Sequence, residues 1–496
     1  MRPQKCGLFL FRKFCYFRSM KLTSPIYSIL LFFIFSSQLF FAQDLSLRKG
    51  AVVDSLRVND SIAESFAMYL PRNYTSDRNW PIVFIFDNKG RGVNVARLFS
   101  SAAEEQGYLL VASNKILKDD SLINNLKLAS RLMENIALNF PIDENRIYTA
   151  GIKEGALVAS ALPVVNSKIK GVLVVEDIWL NEDFIADNNI RRTIVGYAGY
   201  KSDSYNNLKE SFNLYKILDY DPLIYNFELD HEWPTVNLIS HGLGSFTLQA
   251  MLDGTQIKDP EMINKLFKSE LETAESWRRQ LNYYKAFELL DLMRDKYKYF
   301  DKKDEIRDLQ KEIRRESLYK QQRSQYNSAK ITEQNLRYQY PIFLEDDLYT
   351  KNFENIGWWV QQYKEVDSLK NSKIVAESEV GYRLEDYLQA YTKKRFEELK
   401  QEKAGIDRLI LISILRTVFD KKNPEAYFSI VSLSAQDRDY YTALLYLEDL
   451  LKTGYENLEK LYDIPGTLDL KLSPEFNELV KKYLGESKYY NLPFEN

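Results

Sequence analysis

The sequence contains almost no cysteine or histidine, with two of each in 496 residues. Both cysteines, Cys6 and Cys15, lie near the amino terminus, so residues 44–496 can form no disulfide, thiolate metal site or cysteine nucleophile. The two histidines, His231 and His241, are too few for a histidine-rich zinc or iron site. We therefore predict no metal and no cofactor.

The first 43 residues contain no acidic side chain and six basic ones. A basic segment precedes an almost entirely apolar run from Ile26 to Ala42, which is short for a membrane span and ends at Gln43 and Asp44. This pattern predicts a secretory signal peptide over residues 1–43 and a periplasmic or secreted protein. Met20 would make a conventional start, so residues 1–19 could be an upstream extension. An uncleaved anchor is the alternative to a cleaved signal.

Basic residues are also slightly fewer than acidic residues, 67 against 70. The formal net charge is −3, and removal of residues 1–43 takes it to −9. A nucleic-acid-binding protein would be expected to carry a basic stripe, so we predict no nucleic-acid partner and, after signal cleavage, no membrane span.

Glycine is scarce in the second half of the chain. Eleven of the 19 glycines fall between Gly50 and Gly244, and seven follow residue 250. In the first portion, short β-rich runs such as Pro81 to Phe86 alternate with helical patterns, which predicts an α/β domain with a mainly parallel sheet over residues 44–255. Residues 256–496 predict an all-α domain of irregular tetratricopeptide-like hairpins, with a plain helical bundle as the alternative.

The segment from Arg146 to Ala159 reads as a strand, a Gly-x-x-x-Gly turn and the start of a helix. This is the pattern of a nucleophile elbow, in which small neighbours allow a strand and a helix to pack around an exposed serine. The turn glycines are Gly151 and Gly155, but the central position holds Lys153. The turn is kept and the nucleophile is missing.

Residues 60–250 resemble the secreted esterase and polyhydroxybutyrate-depolymerase-like branch of the α/β-hydrolases. The resemblance rests on the strand pattern, the run from Pro81 to Gly92, the elbow and the His-x-Trp-Pro sequence from His231 to Pro234. It implies that Lys153 takes the nucleophile position. It also implies that Asp203 takes the position of the acid and His231 that of the base. The loop of Asp87 to Gly92 takes the place that helps form the oxyanion hole, and the implied ligand-binding positions are Gly151, Glu154, Gly155, Asn88 and Lys89.

Lys153 cannot replace a serine nucleophile. Acyl transfer to its amine would give a stable amide, whereas the serine route depends on a labile ester. We expect Lys153 to form a salt bridge with Asp203 or Glu154, and the alternative is that it binds an anionic ligand at the helix amino terminus.

Three further features have structural explanations. We expect His241 to be a surface residue and Trp233 to pack in the core rather than to stack on a ligand. We expect the pair Trp358 and Trp359 to form a buried helix face rather than a carbohydrate platform.

The leading hypothesis is an exported pseudo-hydrolase that acts as a binding or scaffold protein, with a protein partner on the helical domain and a small anionic or ester ligand. The alternative is a residual esterase or deacylase in which His231 activates water directly. A third hypothesis is a purely structural scaffold with a closed pocket.

Overall fold

The computed structural model describes residues 47–58, 64–117, 120–181, 192–218, 220–228 and 232–489. The predicted signal peptide of residues 1–43 and the predicted base His231 lie outside the described residues. Arg48–Asn496 form one compact unit. Across the described ranges, no helix is both long enough and apolar enough to cross a membrane.

Within the residues described, eight strands form one sheet in the order β1-β2-β4-β3-β5-β6-β7-β8. β2 pairs antiparallel with β1 and β4, and every other neighbouring pair is parallel. The strands are β1 (Val52–Arg57), β2 (Ser65–Tyr69), β3 (Trp80–Phe86), β4 (Leu109–Ser113), β5 (Ile142–Ile152), β6 (Ile169–Val175), β7 (Thr193–Gly199) and β8 (Leu223–Phe227). The predicted α/β-hydrolase-like class is confirmed. β1 was not predicted, because its half-exposed sequence VVDSLR lacks a continuous β-rich run.

In the described part of the chain, the helices that cover this sheet are α1 (Gly92–Gln106), α2 (Leu122–Asn139), α3 (Glu154–Val165), α4 (Ser204–Ile217) and α5 (Val236–Leu252). The parallel strands between them are buried almost throughout, since helices lie on the faces of the sheet. As a result, the carboxyl ends of β3 to β8 meet at one edge, where loops can bring functional side chains together.

The remainder of the described chain is helical, as predicted. Its helices are α6 (Pro260–Arg279), α7 (Tyr283–Lys296), α8 (Lys303–Arg315), α9 (Ser317–Thr350), α10 (Ile356–Lys370), α11 (Val375–Gln401), α12 (Ile406–Phe419), α13 (Pro424–Gln436), α14 (Tyr440–Lys452), α15 (Leu458–Tyr462), α16 (Leu468–Leu472) and α17 (Pro474–Leu484). The Asn423 side chain caps α13 by accepting from the Ala426 N–H, and Gly454 follows α14 with φ of 87°. The tetratricopeptide-like repeat stays a prediction.

The predicted boundary at residue 255 lies in the turn between α5 and α6. Apolar packing nevertheless continues across it, because Leu248 and Met251 of α5 share one buried cluster with Leu266 and Phe267 of α6. As a division into two independently folding domains, the boundary stays a prediction.

Polar contacts also join the two portions. The Lys285 ammonium of α7 contacts Glu228, which follows β8, and lies 2.6 Å from the Glu379 carboxylate of α11. Arg383 of α11 pairs with Glu333 of α9 and donates to the Tyr200 carbonyl after β7. The helices α7, α9 and α11 are thus fixed against the carboxyl-terminal edge of the sheet.

Candidate functional site: the elbow and the edge of the sheet

The elbow predicted between β5 and α3 is present with an unusual backbone. Lys153, between the strand and the helix, has φ of 52° and ψ of −120°. Positive φ is uncommon for a residue with a side chain, and it persists here because the surrounding packing fixes it. The Lys153 N–H donates to the Val175 carbonyl of β6 at 3.1 Å. The conformation that would present a nucleophile is therefore retained with a lysine at its tip.

The two turn glycines allow this close packing. A Cβ atom on Gly155 would lie 2.0 Å from the Phe86 carbonyl oxygen of β3, and one on Gly151 would lie 2.0 Å from the Gly155 carbonyl oxygen. No side chain fits at such distances, so both positions require glycine. The sequence pattern is explained by sterics at the strand–helix crossing.

The salt bridge predicted for Lys153 forms with a different partner. Its ammonium lies 3.7 Å from the carboxylate of Glu176, and neither Asp203 nor Glu154 is paired with it in the described part of the chain. Glu176 directly follows β6, is 6% exposed and has φ of 68°. The prediction of Asp203 or Glu154 as the partner was wrong, because the strand beside β5 is β6. Sequence analysis missed Glu176, although an acidic residue directly after a buried strand was a usable signal.

Glu154 and Asn88 connect the two loops that would form an oxyanion hole. The Asn88 amide, after β3, donates to the Glu154 carboxylate at 3.1 Å. In hydrolases of this fold, the N–H after the nucleophile and an N–H of the loop after β3 stabilise the oxyanion. Here a carboxylate joins the same two loops, and its charge opposes a developing oxyanion.

The loop after β3 is held by its own charges. Burial alone would raise the pKa of Asp87, yet hydrogen bonds from Arg91 and from the Trp233 indole hold that pKa below its ordinary value. Lys89 lies 3.1 Å from Glu232, so it points to the segment after β8 rather than to the elbow. Trp233 is 7% exposed and contacts Phe99 edge to face, which confirms the prediction of core packing.

Asp203 is engaged by the helical portion. It lies at the start of α4, and its carboxylate is 2.6 Å from the guanidinium of Arg337 in α9. Burial raises the pKa of Asp203, while the Arg337 charge opposes that rise. Arg337 in turn lies 3.2 Å from Glu333. In these contacts Asp203 fixes α9 to the sheet, and no contact of the described residues joins it to Lys153.

His241 is buried, so its prediction as a surface residue was wrong. It has no exposed area in α5, and its Nε2 lies 3.3 Å from the Ser269 hydroxyl of α6. Burial, reinforced by the nearby Lys296 ammonium, lowers the pKa of His241 to about 3. The polar sequence Ser240-His241-Gly242 suggested exposure, but α6 and α7 cover this face of α5. Trp359, in contrast, is 1% exposed in α10, as predicted, and its neighbour Trp358 packs partly buried against the same core.

A cavity of about 470 Å³ lies between β8, α5, α6 and α7. Its walls include Tyr200, Asn226, Ser269, Trp277 and Lys285. The Lys285 ammonium lies 4.0 Å from the Tyr200 ring centre and is neutralised by two carboxylates. The Asn226 amide oxygen has no hydrogen-bond partner among the residues described. Glu228, Glu272, Glu288 and Arg279 also line the cavity. The walls thus offer aromatic surface, hydrogen-bonding groups and more carboxylates than cations.

The histidine, aspartate and glutamate side chains of the described residues form no group of three or more that could hold a metal ion. Lys153 and Glu176 meet, and Asn88 and Glu154 meet, as neighbours around the elbow. Asp203 and Lys89 have other partners. Within the described residues, Lys153 and Asp203, which the resemblance assigns to the nucleophile and acid positions, are therefore not in contact with each other.

No family model matches the chain, and no curated protein matches it. Among solved structures, esterase 2 of Thermogutta terrifontis aligns at 10% identity over 44% of this chain and 100% of that one, with a TM-score of 0.33. A hyperthermophilic esterase from the archaeon Pyrobaculum calidifontis aligns at 11% identity over 47% and 99%, with a TM-score of 0.34. An S-formylglutathione hydrolase of Staphylococcus aureus aligns at 9% identity over 40% and 97%, with a TM-score of 0.34. Such values carry no information about activity.

Proposed function

We propose that this chain is an exported, non-catalytic protein on an α/β-hydrolase-like scaffold, which acts by binding. The observation that carries the proposal is the elbow itself, whose strained backbone presents Lys153 paired with buried Glu176. A paired ammonium is a poor nucleophile, and its acyl amide would not turn over. The Glu154 carboxylate at the oxyanion loops and the pairing of Asp203 with Arg337 remove two further parts of the hydrolytic machinery.

The proposed ligand is uncharged and binds in the cavity between β8 and α5 to α7. An anion at the elbow is disfavoured, because Glu154 and Glu176 both place negative charge around Lys153. In the cavity, the buried cation Lys285 is likewise paired with carboxylates. With three carboxylates and two cations among the residues of its walls, the cavity suits an ester or an alcohol better than a carboxylate.

Ester hydrolysis tests the absence of turnover. Residues 44–496 should hydrolyse p-nitrophenyl acetate and butyrate no faster than the His231→Ala variant, since the nucleophile and its base act as one unit. Lys153→Ser should give at most weak activity while Glu154 remains, and Lys153→Ser with Glu154→Gly should give more. Robust wild-type hydrolysis that is lost in His231→Ala would contradict the proposal and favour direct water activation by His231.

Ligand binding is tested by measuring the melting temperature of the protein with ethyl butyrate and, separately, with butyrate. We expect the uncharged ester to raise the melting temperature more than the anion does, because a ligand that binds only the folded state stabilises it. Ser276→Phe, which narrows the cavity at α6, should abolish the shift. A larger shift with butyrate, or an unchanged shift in Ser276→Phe, would contradict the proposed ligand class or its site.

Export is tested by the amino-terminal sequence of the protein made in its own host. We expect the chain to begin at or near Gln43, after removal of the basic and apolar segment. A soluble cytoplasmic product that begins at Met1 or Met20 would contradict export. It would leave the proposed absence of catalysis at Lys153 unaffected.

A further inference from the structure

The outer face of α9 carries an exposed apolar stripe. Its members are Ile331, Tyr338, Ile342 and Tyr349, which are 59%, 73%, 51% and 83% exposed. On an ideal helix with 3.6 residues per turn, their spacings of seven, four and seven residues correspond to positions within about 20° of one line, with Pro341 inside the helix between Tyr338 and Ile342. The stripe is roughly 27 Å long at 1.5 Å per residue.

The fold of the chain does not need this stripe. α9 packs through its opposite face, where Ala329, Tyr340, Leu344 and Leu348 are buried in the helical core. A helix normally carries one apolar stripe and a polar outer face. A second stripe, which no described residue covers, indicates a surface for another molecule.

The flanks of the stripe carry little charge. Asn327, Ser328, Gln334 and Asn335 are neutral. The acidic residues beside the stripe are Glu345 and the exposed Asp346, and Glu345 is held 2.8 Å from Arg395 of α11. The chain as a whole is acidic, with a net charge of −9 once residues 1–43 are removed. Two copies would repel each other over most of their surface, so a charge-poor face is where they can meet.

The order of side chains is self-complementary in an antiparallel pair. A two-fold axis level with Tyr340 sets Ile331 opposite Tyr349 of a second copy, and Tyr338 opposite Ile342 of a second copy. Every layer then combines one aromatic ring with one isoleucine. A parallel pair of α9 helices would instead set tyrosine against tyrosine and isoleucine against isoleucine. The side-chain volume between the two helices would then differ from layer to layer.

We infer that α9 is a homodimer interface, in which two copies of the chain pair antiparallel through the stripe. Two mostly exposed tyrosines and two half-exposed isoleucines bury roughly 500 Å² per copy, given about 150–250 Å² for each aromatic side chain. The total of about 1,000 Å² lies at the lower limit for a specific interface. An interface of this size belongs to the weak, transient class.

Sedimentation equilibrium of residues 44–496, which contain the whole compact unit, tests the dimer. Wild type should shift from monomer to dimer as its concentration rises through the micromolar range. Tyr338→Glu with Ile342→Glu should stay monomeric with an unchanged melting temperature, because both side chains are exposed. The matched control Ile257→Glu changes an 89% exposed residue outside α9 and should still dimerise.

Disulfide trapping tests the orientation, since residues 44–496 contain no cysteine of their own. A mixture of Ile331→Cys chains and Tyr349→Cys chains should give more oxidised dimer than either variant alone. Cross-linking that is strongest within each single variant would overturn the antiparallel arrangement. A monomer at every concentration, or a dimer that survives Tyr338→Glu with Ile342→Glu, would overturn the interface itself.

Discussion

Replacement of His241 by glutamine should change how the stability of this protein depends on pH. His241 is enclosed by α6 and α7 and by Tyr225 of β8, with Ser269, Lys296 and Glu270 as the nearest polar groups. Glutamine can keep the hydrogen bond to the Ser269 hydroxyl, but it cannot take up a proton. The comparison therefore isolates the titration of one buried imidazole.

The direction in which stability changes with pH follows from the pKa values of His241 in the folded and in the unfolded protein. Burial and the Lys296 charge hold its pKa at about 3 in the folded protein, against 6.5 for an unperturbed histidine. Between those values the unfolded chain binds a proton that the folded chain does not, so stability rises with pH across this window and falls on acidification. Acidification from pH 7 to pH 5 should therefore cost wild type about 2 kcal/mol through this residue.

Urea unfolding followed by tryptophan fluorescence provides the assay. Between pH 7 and pH 5, wild type should lose about 2 kcal/mol more of its free energy of unfolding than His241→Gln does. Ser269→Ala removes the hydrogen bond but leaves the buried imidazole, so it should keep the wild-type pH dependence. Equal pH dependence in wild type and His241→Gln would refute the reasoning, because it would mean that the imidazole can be protonated in the folded protein.

Two further substitutions test the buried pairs and the elbow packing by the same unfolding assay. Lys296→Met should destabilise the protein by about 3–5 kcal/mol, because it leaves the Glu270 carboxylate buried without its partner, whereas Lys296→Met with Glu270→Leu should recover most of that loss. Equal losses in the two variants would contradict the pairing. Gly155→Ala should cost about 1–3 kcal/mol, since its Cβ would meet the Phe86 carbonyl oxygen, while Gly357→Ala, with open space around it, should be close to neutral. A neutral Gly155→Ala would contradict the close crossing of strand and helix.

Local sequence signals predicted much of the fold correctly. Seven of the eight strands were visible as short β-rich runs, because buried parallel strands need continuous apolar residues. The strand β1 was missed, since a half-exposed edge strand carries no such run. The elbow was visible because its two glycines stand at the fixed spacing of the motif: Gly151 is required by a contact with Gly155, close along the chain, and Gly155 by a contact with Phe86 of the neighbouring strand β3.

Pairings between distant residues were not predictable in the same way. Lys153 meets Glu176 because β5 and β6 are neighbours in the sheet, and Asp203 meets Arg337 because α9 crosses the edge of the sheet. Neither pair has a signature in sequence spacing. The family resemblance assigned Asp203 to a catalytic triad. The resemblance covers residues 60–250 only, so it could not predict that Arg337 of α9 pairs with Asp203.

The sequence by itself determined the order of strands and helices, the loss of a serine nucleophile at Lys153 and the absence of thiol chemistry from residues 44–496. These properties depend on residue identity and on contacts close along the chain. Only the tertiary structure decided which carboxylate neutralises Lys153, that His241 is buried and that one face of α9 is left exposed. Those properties depend on which elements pack against each other, and the free energy of that packing is distributed over many distant residues.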